Sequence, residues 1–155
     1  MDGTIDARLA ELGIELPQAA APAANYVPYV VSGNHVFVAG QITLNNGEIH
    51  YQGKLGEDFS VDEGYQAARL CALNIIAQIK SACDGDLDRV VRIVRLGGFV
   101  NAGGDFHDHP KVINGASDLM VEVFGDKGRH ARAAVGCPAL PLNVATEVDA
   151  IVEIA

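Results

Sequence analysis

The spacing of hydrophobic and polar positions predicts two long helices. From Ser60 onward, apolar side chains recur at helical spacing as far as Cys83. Ser60 and Glu63 fit a capping box, in which each side chain bonds the backbone N–H of the other residue at the start of a helix. A second helix is predicted to begin around Pro110 and to end at Gly125, because proline is favoured in a first turn and glycine just after a last one.

Runs rich in β-branched residues predict six strands around these helices. The dipeptide Asn46-Gly47 is a strong signal for a hairpin turn between two of them. The run 35–42 is too continuously apolar for a half-exposed strand. The predicted strands are 29–31, 35–42, 48–51, 89–100, 131–137 and 146–154. Their order with the helices predicts an α+β sheet with two helices on one face, whose other face packs against copies of the same chain.

The first 24 residues are predicted to be an extension and lead-in to the domain. Residues 5–12 carry a short amphipathic pattern that Gly13 ends, which predicts one or two helical turns. Residues 16–24 are rich in alanine and proline and are predicted to be extended.

Composition limits the class of protein. A chain of 155 residues is one domain by size, and 49% hydrophobic residues favour an oligomer. The net charge of −9, without any run of Lys or Arg, argues against nucleic-acid and anionic-membrane partners. Three cysteines without C-x-x-C spacing are typical of free thiols in a reducing compartment. We expect a cytoplasmic protein, because neither a signal peptide nor an apolar run of membrane-spanning length is present.

Arg132 is the residue that the apolar pattern does not explain. It lies in a run of small and apolar residues, 131–137, that is typical of a buried strand, and it has no acidic neighbour in sequence. A desolvated guanidinium is costly unless an anion pairs with it. Two partners remain open: Glu147 or Asp149 on a paired strand, or the carboxylate of a small ligand.

Several segments carry a resemblance to a known family. The most specific is the C-terminal pattern, in which Arg132 is followed by Leu140-Pro141 and by a strand containing Glu147. The segments are 28–30, 38–42, 111–114, 131–135, 140–141 and 144–151. On these residues, which span nearly the whole chain, the protein resembles the RidA/YjgF family.

The resemblance implies a chorismate-mutase-like (Bacillus-type) α+β fold with a six-stranded mixed sheet, two helices on one face and assembly as a homotrimer. It also implies hydrolysis of reactive 2-imino and 2-enamino acids to 2-keto acids and ammonia, with no metal or organic cofactor. The sites would lie in clefts between subunits.

The resemblance also implies roles for individual residues. Arg132 would bind the substrate carboxylate and Glu147 would position the attacking water, so these two are the candidate catalytic residues. Tyr29, Gly40 and Asn114 would line the site and bind substrate. Asn114 precedes a glycine, Asn114-Gly115, and this pair is unfavourable inside a helix, which indicates function or close packing.

This sequence departs from the family pattern at one position of the site. Ala134 stands two residues after the arginine, where many members have a cysteine, and this substitution would matter if the thiol takes part. A rival site, at Asp105-Phe106-His107-Asp108-His109, has histidines and aspartates that could ligate a metal, although no further ligands are spaced to complete it. Cys137 has no base partner in sequence that would make it a nucleophile.

Two classes of function therefore remain. The first is an imine and enamine deaminase, and the alternative is a non-catalytic trimeric module that binds a small carboxylate in the same cleft. A third reading, ribonuclease activity, is a label that some relatives carry, and the charge of −9 argues against it.

Overall fold

The computed structural model describes residues 3–21 and 25–155, which form three α-helices and seven strands. The helices are α1 (Thr4–Glu11), α2 (Val61–Ala82) and α3 (His109–Phe124). The strands are β1 (Tyr29–Ser32), β2 (His35–Gln41), β3 (Leu44–Asn45), β4 (Glu48–Ile49), β5 (Val90–Asn101), β6 (Ala131–Cys137) and β7 (Thr146–Ile154). Short 3-10 turns cover 87–89, 125–128 and 141–143.

Five of the strands form one mixed sheet, in the order β1-β2-β7-β5-β6. The β5–β6 pair is parallel and the others are antiparallel. The prediction of six strands in this sheet is wrong, because residues 48–49 pair only with 44–45 in a separate two-stranded ribbon. The predicted hairpin itself is confirmed: Asn46 and Gly47 both adopt positive φ, of 51° and 92°. The chain leaves the sheet after Gln41, and this departure separates the ribbon from β2.

Both predicted long helices are confirmed, and local signals set their ends. Ser60 and Glu63 form the reciprocal capping box at the start of α2. Pro110 lies in the first turn of α3, and Gly125 follows its last residue with φ of 64°. No helix in the described part of the chain is long and apolar enough to cross a membrane.

The predicted helical turns near the N-terminus are confirmed as α1. The carboxylate of Asp88 accepts hydrogen bonds from the backbone N–H groups of Thr4 and Ile5, at 2.8 and 2.9 Å, so it satisfies donors that a helix start leaves free. Leu9 is buried in the core. The fold therefore contains a third helix beyond the two predicted for one face. The predicted lead-in has no regular secondary structure up to Ala21, and its residues 22–24 lie outside the described residues.

The sheet has one face covered by helices and one open face. On β7, Val148 and Val152 are fully buried toward α2 and α3, and the alternate residues Asp149 and Ile151 are only half-buried. Phe37 and Val135 lie on the open face and are 45% and 47% exposed. In this chain β2 is therefore half-exposed, contrary to the prediction from its apolar run, because the described helices all pack on the opposite side. We call the side chains of Val30, Phe37, Phe99, Val135, Glu147 and Asp149 the open face below.

Candidate functional site

Arg132 lies on β6, which is an edge strand and not the buried strand that the sequence predicts. Because β6 pairs only with β5 in the sheet, most of its side chains are exposed or half-exposed. Arg132 is in register with the buried Leu96, so its side chain points to the helix side. There its Nη1 atom donates to Asn114 Oδ1 at 2.8 Å and to Ser117 Oγ at 3.1 Å, both on α3.

One edge of this guanidinium is left for a ligand. A guanidinium has five N–H donors, and the two on Nη1 are used by α3. Within residues 3–21 and 25–155, the Nε–H and the two Nη2–H groups have no protein acceptor, and no carboxylate lies within ion-pair distance of Arg132. The Nε and Nη2 donors form a parallel pair, which is the geometry that grips both oxygens of a carboxylate.

The structural salt bridge that sequence reasoning left open is wrong for this chain. Strand β5 separates β6 from β7, so Arg132 and Glu147 are two strands apart, about 10 Å across the sheet. The two acids of β7 also point to the open face, whereas Arg132 points to the helices. Asp149 instead lies 3.9 Å from Nη1 of Arg95, its open-face neighbour on β5.

Behind Arg132 lies a short polar chain that sequence reasoning missed. The Oγ atom of Ser117 is 2.9 Å from Nε2 of His130, and Nδ1 of His130 is 2.6 Å from the carbonyl oxygen of Gly128. Burial lowers the pKa of the His130 ring; the hydrogen bond to Gly128 opposes this shift, and the charge of Arg132 adds to it. The available signal was a histidine two residues before Arg132, at the start of the predicted strand, because alternate residues of an extended segment point to the same side.

Glu147 and Gly40 lie together, on the open face. Gly40 falls in the irregular pairing between Val38 and Gln41, and a Cβ atom there would overlap the Glu147 carboxylate. Burial, with a further contribution from the charge of Asp149, raises the pKa of the half-buried Glu147. A raised pKa suits a carboxylate that must exchange protons near neutral pH.

A cleft of about 450 Å³ opens beside this pair. Its walls combine Gly40 and Glu147 with mainly apolar side chains, including those of Pro28, Ile42, Leu44, Ile49 and Leu142. Leu142 is 60% exposed and adopts a φ of 57°, which is unusual for a bulky residue. An apolar cleft with one carboxylate can hold a small organic molecule and a water.

The remaining candidates fall in separate places. Asn114 contacts Arg132 as described, and its neighbour Gly115 approaches the backbone carbonyl of Tyr65, where α3 crosses α2 too closely for a Cβ. The hydroxyl of Tyr29 bonds Ser81 Oγ at 3.0 Å, on the helix side of β1 and at the sheet edge opposite Arg132. One chain thus brings Arg132 to Asn114 and Gly40 to Glu147, but not these two pairs to each other.

The loop at 105–109 shows the arrangement of an ordinary helix start. His109 begins α3 and packs edge-on against Phe106, with ring centroids 5.4 Å apart. In the described part of the chain, no three His, Cys, Asp or Glu side chains are close enough to hold a metal ion. Cys137, at the end of β6, is a half-buried free thiol.

Comparisons with known proteins show which family has this sequence and fold. The sequence profile described as "YjgF/chorismate mutase-like, putative endoribonuclease" matches residues 6–154. Protein TCP17 of Trypanosoma cruzi is 51% identical over 153 residues, which cover 98% of this chain and 95% of that protein.

Solved structures agree with this match. The protein Atu1372 of Agrobacterium tumefaciens, of unknown function, is 49% identical with a TM-score of 0.91, over 97% of this chain and 92% of that one. E. coli TdcF with bound serine is 25% identical with a TM-score of 0.65, over 92% and 98% of the two chains. The chain belongs to the YjgF/chorismate mutase-like family, as the resemblance implied.

Proposed function

We propose that this protein is a deaminase that hydrolyses small 2-imino and 2-enamino acids to 2-keto acids and ammonia. The observation that carries the proposal is the guanidinium of Arg132, half-buried, fixed by Asn114 and Ser117 on one edge, with its Nε and Nη2 donors free of protein acceptors in the described residues. A half-buried positive charge in this state is best satisfied by a bound carboxylate. The serine bound to E. coli TdcF supports a small carboxylate ligand for this family.

The complete site is proposed to form between copies of the chain. Within one chain Arg132 points to the helix side at an outer strand, and Glu147 points to the open face two strands away. A neighbouring copy that covers the open face could place its own β6 edge, with Arg132, beside the cleft of Gly40 and Glu147. The exposed apolar side chains of Phe37 and Val135 favour such packing, and we propose a homotrimer in agreement with the family resemblance.

The proposed reaction has three steps, namely binding of the substrate, addition of water and cleavage of the C–N bond. Arg132 binds the substrate carboxylate and thereby fixes the imine carbon near the attacking water. The ionised Glu147 accepts a proton from the water as its oxygen bonds to that carbon, and this proton passes to the nitrogen. The hydroxyl proton of the resulting carbinolamine then passes through Glu147 to the nitrogen as the C–N bond breaks, so that one imine and one water give one keto acid and one ammonia. A 2-enamino acid first isomerises to the same imine, by transfer of one proton from its nitrogen to its terminal carbon. Tyr29 is proposed to bind substrate from one wall.

The departure at Ala134 bears on which atoms take part. Ala134 is partly buried and packs against the hydrophobic core on the helix side of β6. At this position the chain therefore offers a ligand only its backbone groups. We propose a reaction that uses no thiol there.

The alternative function is a module that binds a small carboxylate without turnover. Arg132 serves both functions, and Glu147 distinguishes them, because only turnover needs a group that accepts a proton from the attacking water. The endoribonuclease activity in the family description has no support from the charge of this chain, which is −9.

The test is ammonia release from 2-aminoacrylate generated in place by a pyridoxal-phosphate enzyme. We expect Arg132→Ala to lower kcat/KM about 100-fold, because the two charge-assisted hydrogen bonds to the substrate carboxylate are lost. Glu147→Gln should lower kcat about 100-fold while the Kd for 2-oxobutanoate stays within about twofold. Arg129→Ala is the matched control, since that exposed arginine contacts only Asp126, at 3.4 Å, through its side chain. Wild-type rates in Arg132→Ala would refute the proposal, and ligand binding without turnover would favour the binding module.

A further inference from the structure

Ser117 and His130 form the inner layer of the arginine site. The Nη1 atom of Arg132, the hydroxyl of Ser117, the ring of His130 and the carbonyl of Gly128 lie in sequence at 3.1, 2.9 and 2.6 Å. They come from three parts of the fold, namely β6 with the residue before it, α3, and the 3-10 turn at 125–128. Each of these parts therefore contributes to the orientation of one guanidinium.

The direction of each hydrogen bond between these four groups follows from which of their atoms can donate and which can accept. A carbonyl oxygen only accepts, so Nδ1 of His130 must carry the proton that points to Gly128. In the neutral ring Nε2 then accepts, and the hydroxyl of Ser117 donates to it. The oxygen of Ser117 keeps its lone pairs for Arg132, which only donates. A neutral, Nδ1-protonated His130 satisfies all of these groups at once.

We propose that Ser117 and His130 are positioning residues for Arg132, and that together with Asn114 they hold its Nε and Nη2 edge toward the carboxylate of the ligand. This proposal rests on the proposed function for the identity of that ligand. Arginine side chains have many rotamers, and a guanidinium held in one orientation loses less freedom when it binds. Ser117 and His130 act through Arg132 and need not touch substrate.

The protonation of His130 should depend mainly on the charge of Arg132, as the other charged groups near this part of the fold indicate. On β6, which begins just after His130, the nearby charge is that of Arg132, which disfavours protonation of the ring. On α3, Asp118 follows Ser117 in sequence and accepts a hydrogen bond from the hydroxyl of Tyr65 at 2.7 Å. In the 3-10 turn Asp126 lies 3.4 Å from Arg129, and from β5 Arg92 donates to the backbone carbonyl of Arg129. Arg132 is therefore the charge whose state the ring should report.

Binding of a carboxylate to Arg132 and protonation of His130 are then linked. A carboxylate on Arg132 offsets its positive charge, so it should raise the pKa of His130. By reciprocity the ligand should bind more tightly, by about threefold, as the pH falls through the pKa of His130.

The first experiment reads the ring directly by NMR of the full-length, 15N-labelled protein. We expect the Nδ1–H tautomer for neutral His130, and a higher pKa for its ring both in Arg132→Gln and on saturation with 2-oxobutanoate. An Nε2–H tautomer, or a His130 pKa that Arg132→Gln leaves unchanged, would overturn the proposal. Neither of these readouts depends on turnover, so they stand even if the deaminase proposal fails.

The second experiment separates positioning from a general structural role. Ser117→Ala and His130→Ala should each raise KM about fivefold with kcat within about twofold, because one hydrogen bond that orients Arg132 is lost. His130→Gln, whose amide oxygen can accept from Ser117, should recover part of this loss. The exposed His107 provides the matched control, His107→Gln, with wild-type KM. An unchanged KM in both Ser117→Ala and His130→Ala would overturn the proposal. If the wild type binds 2-oxobutanoate without turnover, the same comparison is made on Kd and the deaminase proposal alone fails.

Discussion

The two faces of the five-stranded sheet differ in how completely one chain covers them. On the helix side the alternate residues of β7, such as Val148 and Val152, are fully buried under α2 and α3. On the open face Phe37 and Val135 remain nearly half exposed, and the acids Glu147 and Asp149 lie among them. The helix side of the central strand β7 is thus covered within the chain, and the helices on that side anchor Arg132. The open face carries Glu147 and is incomplete, which is why we propose that function needs a second copy.

A charge on the open face should have the largest effect. We expect Phe37→Asp to dissociate the proposed trimer and to lower deaminase activity at least about tenfold, because a carboxylate would be desolvated in the contact. Sizing by light scattering, with the ammonia assay, measures both effects. Val31→Asp is the matched control, since Val31 is 49% exposed but in register with the helix-side Val36. An active oligomer in Phe37→Asp, or a monomeric active wild type, would refute the role given to the open face.

A substitution that creates a cavity in the core on the helix side should lower the free energy of unfolding of the chain. Ile93 is fully buried, in register with Val152, and Ile93→Ala should lower the free energy of unfolding by about 3 kcal/mol. Urea unfolding at a fixed protein concentration measures it. Val91→Ala, on the same strand at 40% exposure, should cost less than about 0.5 kcal/mol. Equal losses at the two positions would contradict the placement of Ile93 in the buried core on the helix side.

The smallest expected effect concerns the acids of the open face. Glu147 works as a base only when ionised, so activity should fall as the pH drops through its raised pKa. Asp149→Asn removes the negative charge that contributes to the raised pKa of Glu147, and the acid limb of kcat/KM should move to lower pH. Glu153→Gln, on the same strand and face, should leave the limb in place. A shift to higher pH in Asp149→Asn would show that Glu147 is not the titrating base.

Local signals account for what was predictable from the sequence. The capping box of Ser60, the glycine after α3 and the turn at Asn46-Gly47 each act within a few residues, so their structures follow from sequence alone. The family resemblance was equally accessible, because a fixed order of residues carries it. The apolar run around Arg132 singled out that residue, with Glu147 as a possible partner. The catalytic roles of both came from the resemblance and remain proposals.

Long-range pairing accounts for what was missed. Which strands neighbour one another depends on contacts between distant residues, and these decided that 48–49 leave the sheet and that β5 separates Arg132 from Glu147. The salt bridge that the sequence left open as an alternative is ruled out in one chain for this reason. Ser117 and His130 gained a place in the site only because α3 and the turn after it pack beside the start of β6.

The sequence by itself determined where the helices begin and end, most of the strands, the acidic character and the family, because these depend on local backbone chemistry or on residue order. The tertiary structure alone decided which face of the sheet each polar side chain occupies and which atoms it meets. The physical reason is that hydrogen bonds and desolvation act over a few ångströms in space, and residues 15 or more apart in the chain reach that distance only after folding.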